Sequence, residues 1–151
     1  MKISARADYA VRAAVELASH PGEPAKAKEL AEVQEVPHRF LEGILNDLRR
    51  TGIVTSRRGG NGGYQLAKEP EDVSVADVVR AVEGPLVFVR DSRPSELEYP
   101  GTAGPLLDVW VALRAAVRSV LDETSLADVV NEELPASVAR LADSEGAWEN
   151  P

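Results

Sequence analysis

The sequence contains no cysteine among its 151 residues. This absence excludes disulfides, thiolate metal sites and cysteine nucleophiles together. Only two histidines occur, His20 and His38, and they are distant in sequence, so a histidine-based zinc site has little support. No apolar run approaches the roughly 18 residues of a membrane span, and no secretory leader opens the chain. We therefore expect a cytoplasmic protein with no metal site and no membrane partner.

Signatures of enzymes are also missing. The chain has no Ser/His/Asp grouping, no GxxxxGKS phosphate-binding loop and no cluster of metal ligands. Its one glycine-rich stretch, residues 59–63, lies between two β-prone runs rather than between a strand and a helix. We therefore expect no enzymatic activity. The length of the chain allows one domain with a hydrophobic core and a small second element.

Positive charge is scarce overall but concentrated in one segment. The net charge is −8, yet residues 37–68 carry six basic and two acidic residues, a local balance of +4. Residues 69–151 carry six arginines and seventeen acids, a balance of −11. Because salt screens charges over about 10 Å, the field at a contacting face matters more than the total charge. A nucleic-acid partner is therefore compatible with this chain, provided that the acidic half points away.

The segment that follows Val36 has the pattern of an amphipathic helix. Pro37 suits the first turn of a helix, where a missing N–H costs nothing. Apolar residues then recur at three- and four-residue steps, which separates a core side from a polar side. The core side is predicted to hold Phe40, Leu41, Ile44, Leu45 and Leu48, and the polar side His38, Arg39, Glu42, Asn46, Arg49 and Arg50.

A hairpin signal follows that helix directly. Two β-prone runs, residues 53–56 and 64–67, flank a tip that contains two arginines and four glycines. A helix with a cationic face leading into such a hairpin is the layout of a winged helix-turn-helix. The helix is sized for a major groove, and the thin tip lets Arg57, Arg58 and the Gly60 backbone approach phosphates or enter a minor groove.

The remaining residues predict further helices around this centre. Ser4 caps a helix that reaches about Ser19, a short helix covers residues 25–33, and Ser74 caps another that Gly84 ends. Pro105 opens the longest apolar helix. We predict a mainly α fold with a small β-hairpin wing, divided into a winged helix-turn-helix domain (1–84), a loop (85–104), a dimerisation helix with a short cap helix (105–130), and an acidic, partly disordered tail (131–151).

The helix after Pro105 is too apolar to face water alone. We expect it to pair with its twin, so that a homodimer reads two half-sites of a palindromic operator about 34 Å apart. An effector pocket formed by Phe88, Tyr99 and Trp110 is an open alternative, although packing is the more ordinary role for an aromatic residue at a core-spaced position. The predicted dimerisation residues are Leu106, Val109, Trp110, Leu113, Val117 and Val120.

Four stretches of the chain resemble the Rrf2 family of bacterial winged-helix transcription regulators. They are DYAVRA at 8–13, the run from Phe40 to Val54, the wing RGGNGGYQLA at 58–67, and VVRAVEG at 78–84. The likeness covers about residues 1–130. It implies a homodimeric repressor or activator, with repression favoured, whose wing residue Arg58 enters the minor groove while Arg39 and Glu42 face base edges.

The same resemblance suggests a cofactor whose ligands this sequence lacks. Many members of that family sense iron, nitric oxide or redox state through an iron–sulfur cluster held by three cysteines in the loop before the dimer helix. Here loop 85–104 has no cysteine, and carboxylates alone are hard ligands poorly matched to such a cluster. Asp8 occupies a position where some members add a carboxylate ligand, but it has no thiolates to join. We expect no iron–sulfur cluster, and the sequence does not identify a small-molecule effector.

Other interpretations of these residues stay open. A winged-helix protein-interaction module would turn the same basic face to an acidic partner protein. Arg49 and Arg50 would then be solvated cations favoured by the carboxyl end of a helix, although their position beside the hairpin favours phosphate contact. Glu42 is an ordinary exposed acid unless it accepts a hydrogen bond from a cytosine amino group.

Overall fold

The computed structural model describes residues 1–150, which form seven α-helices and one antiparallel hairpin. Short 3₁₀ turns occupy Pro70–Asp72, Pro94–Glu96 and Gly101–Ala103. The mainly helical fold with a small wing is therefore confirmed. The elements are α1 (Ala5–Ser19), α2 (Ala27–Gln34), α3 (His38–Arg50), β1 (Val54–Arg57), β2 (Gly63–Leu66), α4 (Val75–Glu83), α5 (Leu106–Leu121), α6 (Leu126–Val130) and α7 (Ala136–Ala142).

Side-chain caps fix where several helices begin. The Ser4 hydroxyl accepts the N–H of the third residue of α1 at 3.0 Å. Ser74 and Asp77 form a reciprocal capping box on α4, with both bonds at 3.0 Å, and Ser125 and Asp128 repeat it on α6 at 2.8 and 3.0 Å. These caps satisfy amide groups that a helix leaves unpaired at its start, so the helix beginnings predicted at Ser4 and Ser74 are correct.

The core lies where α1, α2 and α3 meet, with β1, α4 and α6 closing it. Leu41, Ile44, Leu45 and Leu48 of α3 have no exposed surface, as the apolar spacing predicts. Phe40 differs, because its side chain is 45% exposed. The four buried residues span an arc of about 100° from Ile44 to Leu45, and Phe40 lies about 40° beyond Ile44, at the rim of the core. The assignment of Phe40 to the core was wrong.

The wing, residues 54–66, is anchored at its base. β1 and β2 pair from Val54 opposite Leu66 to Arg57 opposite Gly63. Two further backbone bonds, at 2.8 and 2.7 Å, join Tyr64 to Ala25 in the segment before α2. A side chain at Gly63 would place its Cβ 2.6 Å from the Ala25 carbonyl oxygen, so only glycine permits this approach. The wing is thereby held against the helical domain.

The carboxyl-terminal elements are less enclosed than the core. α5 has no buried residue, and Leu106, Val109 and Val111 are 40–52% exposed. The tail, which the sequence suggested would be partly disordered, contains α7, and beyond it the Trp148 indole donates to the Ala142 carbonyl at 2.8 Å. Within residues 1–150 no helix combines the length and apolar character needed to cross a membrane.

Candidate nucleic-acid interface

The outer side of α3 presents one polar face. At about 100° per residue, His38, Arg39, Glu42, Asn46 and Arg49 fall within an arc of roughly 100° whose centre is about 120° from that of the buried residues. Two side-chain contacts order this arc. Arg49 donates to the Asn46 amide oxygen at 2.9 Å, and the His38 ring lies 3.8 Å from the Glu42 carboxylate. The five side chains therefore form one exposed surface along a single helix.

An aromatic contact positions the cation at the start of α3. The Arg39 guanidinium lies 4.8 Å above the Phe40 ring, and that ring lies 6.3 Å from the ring of Tyr9 in α1. A cation over an exposed aromatic ring gains roughly 0.5–1 kcal/mol, enough to bias the side chain toward one direction. Sequence reasoning missed this role because it placed Phe40 in the core.

Arg50 differs from Arg49 although the two are adjacent. Its guanidinium lies 3.3 Å from Asp47, which also bonds to Arg6 from α1. The hydrogen bond from Arg6, with a smaller contribution from Arg50, holds the pKa of Asp47 below its usual value against the opposing effect of burial. Arg50 is thus partly neutralised within the protein, whereas Arg49 contacts no carboxylate among residues 1–150.

The wing tip is compact and carries two free arginines. A Cβ at Gly62 would lie 2.3 Å from the Arg57 carbonyl oxygen, so the tip closes only with glycine there. Gly60 has no heavy atom within 4 Å of its potential Cβ, which leaves its backbone open to an approaching molecule. Arg57 and Arg58 are exposed, and neither forms an ion pair within the described residues.

We call Arg39, Arg49, Arg57 and Arg58 the cationic ridge. Guanidinium groups bind phosphate through paired hydrogen bonds, and an unpaired guanidinium needs no rearrangement before it does so. Each of these four exposed guanidinium groups is therefore free to bind an anionic group such as a phosphate. All nine residues predicted to contact DNA are solvent-exposed, namely His38, Arg39, Glu42, Asn46, Arg49, Arg50, Arg57, Arg58 and Gly60.

The six predicted dimerisation residues share one side of α5. Leu106 and Val109 are exposed, and Trp110, Leu113, Val117 and Val120 are half-buried. At 3.6 residues per turn the six fall within an arc of about 100°. Trp110 lies at the inner edge of this arc, where its indole nitrogen is buried and has no hydrogen-bond partner among the described residues.

The predicted aromatic pocket is not assembled as an aromatic cluster. Phe88 is 43% exposed, and Tyr99 lies beneath the Arg90 guanidinium at 5.7 Å. No ring–ring contact joins Phe88, Tyr99 and Trp110 within residues 1–150. A cavity does lie where the loop meets α4 and α5, but its walls carry arginines that the sequence analysis did not single out.

Three helices around one core, an exposed polar face on the third and an anchored hairpin beside it define a winged helix-turn-helix DNA-binding protein. A family model described as "Rrf2: Iron-dependent Transcriptional regulator" matches residues 3–132. The chain belongs to the Rrf2 family of DNA-binding transcription regulators, which confirms the resemblance drawn from the sequence.

Individual relatives agree with this placement. The putative HTH-type transcriptional regulator Rv1287 of Mycobacterium tuberculosis is 49% identical over 151 residues, covering 99% of this chain and 94% of that protein. The solved structure of CymR, titled the global cysteine regulator of B. subtilis, has a TM-score of 0.70 at 32% identity and covers 87% of this chain and 98% of its own. The IscR of T. potens has a TM-score of 0.71 at 34% identity, with 87% and 88% covered.

The donor set of this chain does not fit the iron–sulfur cluster that the family resemblance suggests. Such clusters depend on thiolates, and the sequence contains no cysteine. Asp8, the position of a carboxylate ligand in some members, lies 3.3 Å from Arg12 in an ordinary helix ion pair. No grouping of three His, Asp or Glu suited to a metal ion occurs within residues 1–150.

Proposed function

We propose that the chain acts as a homodimeric, sequence-specific repressor that binds a palindromic operator and has no enzymatic activity. The observation that carries this proposal is the cationic ridge, four exposed arginines without carboxylate partners in a chain whose net charge is −8. What distinguishes these four is their concentration: Arg39 and Arg49 share the exposed polar face of α3, and Arg57 and Arg58 lie in the hairpin that follows it directly. Such a concentration of exposed cations in an acidic protein favours a polyanionic partner.

We assign roles to these residues by their position. Arg39 and Glu42, near the start of α3, are placed to read base edges, with Glu42 able to accept from a cytosine amino group. Arg49 contacts phosphate, with Arg50 beside it as a weaker contributor because Asp47 competes for its charge. Arg58 enters the minor groove, and Arg57 with the open Gly60 backbone contacts the adjacent phosphates.

Dimerisation through α5 supports the palindromic operator. α5 has no fully buried residue, so its apolar arc stays in contact with water in a single chain. In a symmetric dimer, the same apolar arc of a second copy would cover it. Two-fold symmetry would then repeat the ridge on two half-sites about one helical turn, roughly 34 Å, apart. A dimer bound across a promoter obstructs transcription, which is the physical basis for repression.

We further propose that the protein works without an iron–sulfur cluster. The reason is the cysteine-free donor set of the loop at residues 85–104. The test is the visible absorption of protein purified under anaerobic conditions. A colourless protein that still binds its operator supports this statement, and a brown, iron-containing sample contradicts it.

Footprinting on duplex DNA tests the proposed function as a whole. We expect two protected segments of a near-palindromic site, with their centres about 10 base pairs apart. A protein that is retained by an acidic protein partner but indifferent to duplex DNA at low salt would instead be a winged-helix protein-interaction module.

A further inference from the structure

Four of the six arginines in the acidic half of the chain converge on one cavity. Residues 69–151 carry seventeen acids and no lysine. A cavity of about 280 Å³ lies between the end of α4, loop 85–104 and α5. We call it the arginine cavity. Its charged lining is Arg80, Arg93, Arg114 and Arg118, and its uncharged wall is Gly84, Pro85 and Leu86.

Two of these arginines are already compensated by carboxylates. Arg80 lies 2.7 Å from Asp122 and 3.7 Å from Asp77, and Arg118 lies 2.9 Å from the same Asp122. The hydrogen bond between Arg80 and Asp122 raises the pKa of Arg80 and lowers the pKa of Asp122. These pairs connect α4 to α5 and form one side of the cavity.

The other two arginines have no such compensation. Arg93 and Arg114 form no ion pair within residues 1–150, although Arg114 is half-buried. A guanidinium carries five N–H donors, and a partly buried one without acceptors is costly. One helical turn before Arg114, the buried indole N–H of Trp110 also lacks an acceptor. Four guanidinium groups against two carboxylates leave a local excess of two positive charges.

Arg114 borders the proposed dimer contact, and Arg118 lies farther round α5. At about 100° per residue, Arg114 is rotated by about 40° from Trp110 and about 60° from Val117, but by about 100° or more from Val109 and Leu113. A second copy centred on Val109 and Leu113 would leave the cavity open to solutes from the side of the loop.

We propose that the arginine cavity binds a small dianion, a phosphate or dicarboxylate compound, through Arg93 and Arg114. Guanidinium groups recognise both kinds of group by the same paired hydrogen bonds. The volume is at the lower end of ligand pockets, which limits the ligand to a small metabolite with a short apolar part against Pro85 and Leu86. The site stands on its own residues, and only a role as effector of DNA binding rests on the proposed function.

The ligand would act where the two parts of the molecule join. Arg80 and Gly84 belong to the winged domain, Arg93 to the loop, and Arg114 and Arg118 to α5. A dianion held between them would fix the angle between the DNA-reading domain and the dimerisation helix. That angle sets the spacing of the two ridges in a dimer.

Calorimetric titration of the full chain with inorganic phosphate and, separately, with succinate tests the site. Both are added at constant ionic strength in a chloride buffer. We expect saturable binding of at least one of them with one site per chain. Arg93→Gln and Arg114→Gln should each weaken it about tenfold or more, as loss of a charge-assisted hydrogen bond implies. Arg140→Gln removes an exposed, unpaired arginine from α7 and should bind as the unmodified protein does.

The outcomes separate the alternatives. Arg114→Lys keeps the charge, so partial binding by this variant supports the site even where Arg114→Gln unfolds. No binding of either anion, or equal binding by every variant, overturns the proposal. So does a loss of the dimer in Arg93→Gln and Arg114→Gln without any loss of anion binding, because these arginines would then serve the contact between copies and not the anion. Anion binding by a protein that ignores duplex DNA would support the site and refute the proposed function.

Discussion

The salt dependence of DNA binding is the sharpest consequence of the cationic ridge. Each protomer presents four unpaired arginines in the ridge, and a dimer presents eight. A guanidinium held against the duplex neutralises about one phosphate charge whether it lies on the backbone or in a groove, and each contributes about −0.9 to the slope of log affinity against log salt, so the expected slope for the proposed dimer is about −7. Raising the salt from about 50 to 200 mM should therefore weaken operator binding by roughly ten-thousandfold.

Removing Arg58 tests this count. Arg58→Ala deletes two of the eight cations from a dimer, so the slope should change from about −7 to about −5. Fluorescence anisotropy of a labelled operator duplex at several KCl concentrations measures it directly. Because Arg58 is also proposed to read the minor groove, operator affinity should fall by more than the loss of two cations alone would cause.

Two variants serve as controls for the same titration. Arg140→Ala removes an arginine from α7, outside the ridge, and should leave the slope unchanged. Arg50→Ala should change the slope less than Arg58→Ala does, because Asp47 already neutralises part of the Arg50 charge. A slope shallower than about −3 for the unmodified dimer, or equal slopes for it and Arg58→Ala, would refute the reasoning.

Three further changes probe the dimer helix, the wing and the ion pairs. Val109→Asp puts a charge into the proposed dimer contact and should produce monomers in sedimentation analysis with weaker operator binding, whereas Ser119→Asp, on the polar side of α5, should leave the dimer intact. Gly62→Ala forces a Cβ into the wing-tip backbone and should weaken operator binding, while Gly60→Ala should leave the melting temperature of the free protein unchanged, because its Cβ points into open space. Arginine partners lower the pKa of Asp122, so its stabilising contribution is complete above the ordinary carboxyl pKa and is lost as the pH falls through the lowered one. In urea unfolding, Asp122→Asn should therefore cost stability equally from about pH 5 to 8 and progressively less below about pH 4.

Local signals explain why much of the fold could be predicted from the sequence. Ser4 and Ser74 mark the starts of helices because their capping hydrogen bonds involve only residues nearby in the sequence. The α3 stripe and the glycine-rich tip are likewise local patterns. β1 begins at Val54 rather than Ile53 because the Ile53 amide instead bonds to the Leu48 carbonyl and closes α3. Errors of one residue at an element boundary arise from such competition for a single hydrogen bond.

Contacts between distant residues account for what sequence reasoning missed. Arg6 of α1 bonds to the same Asp47 carboxylate that pairs with Arg50, and no local pattern indicates this long-range contact. Phe40 is exposed because α1 offers Tyr9 at the rim instead of a place in the core. The arginine cavity collects residues from three elements, so neither spacing nor composition indicates it.

Loop 85–104 is held in place by its own apolar residues and by a local hydrogen bond. Val87, Pro94 and Leu97 are buried, and the Glu96 carboxylate accepts the Arg93 amide at 3.3 Å. Apolar burial and a local cap can therefore hold the loop beside α5 without thiolate ligands. Because the backbone at Arg93 is fixed in this way, binding of an anion would have to order only its side chain. In the proposed site, this cysteine-free loop would present a cation to an anionic ligand.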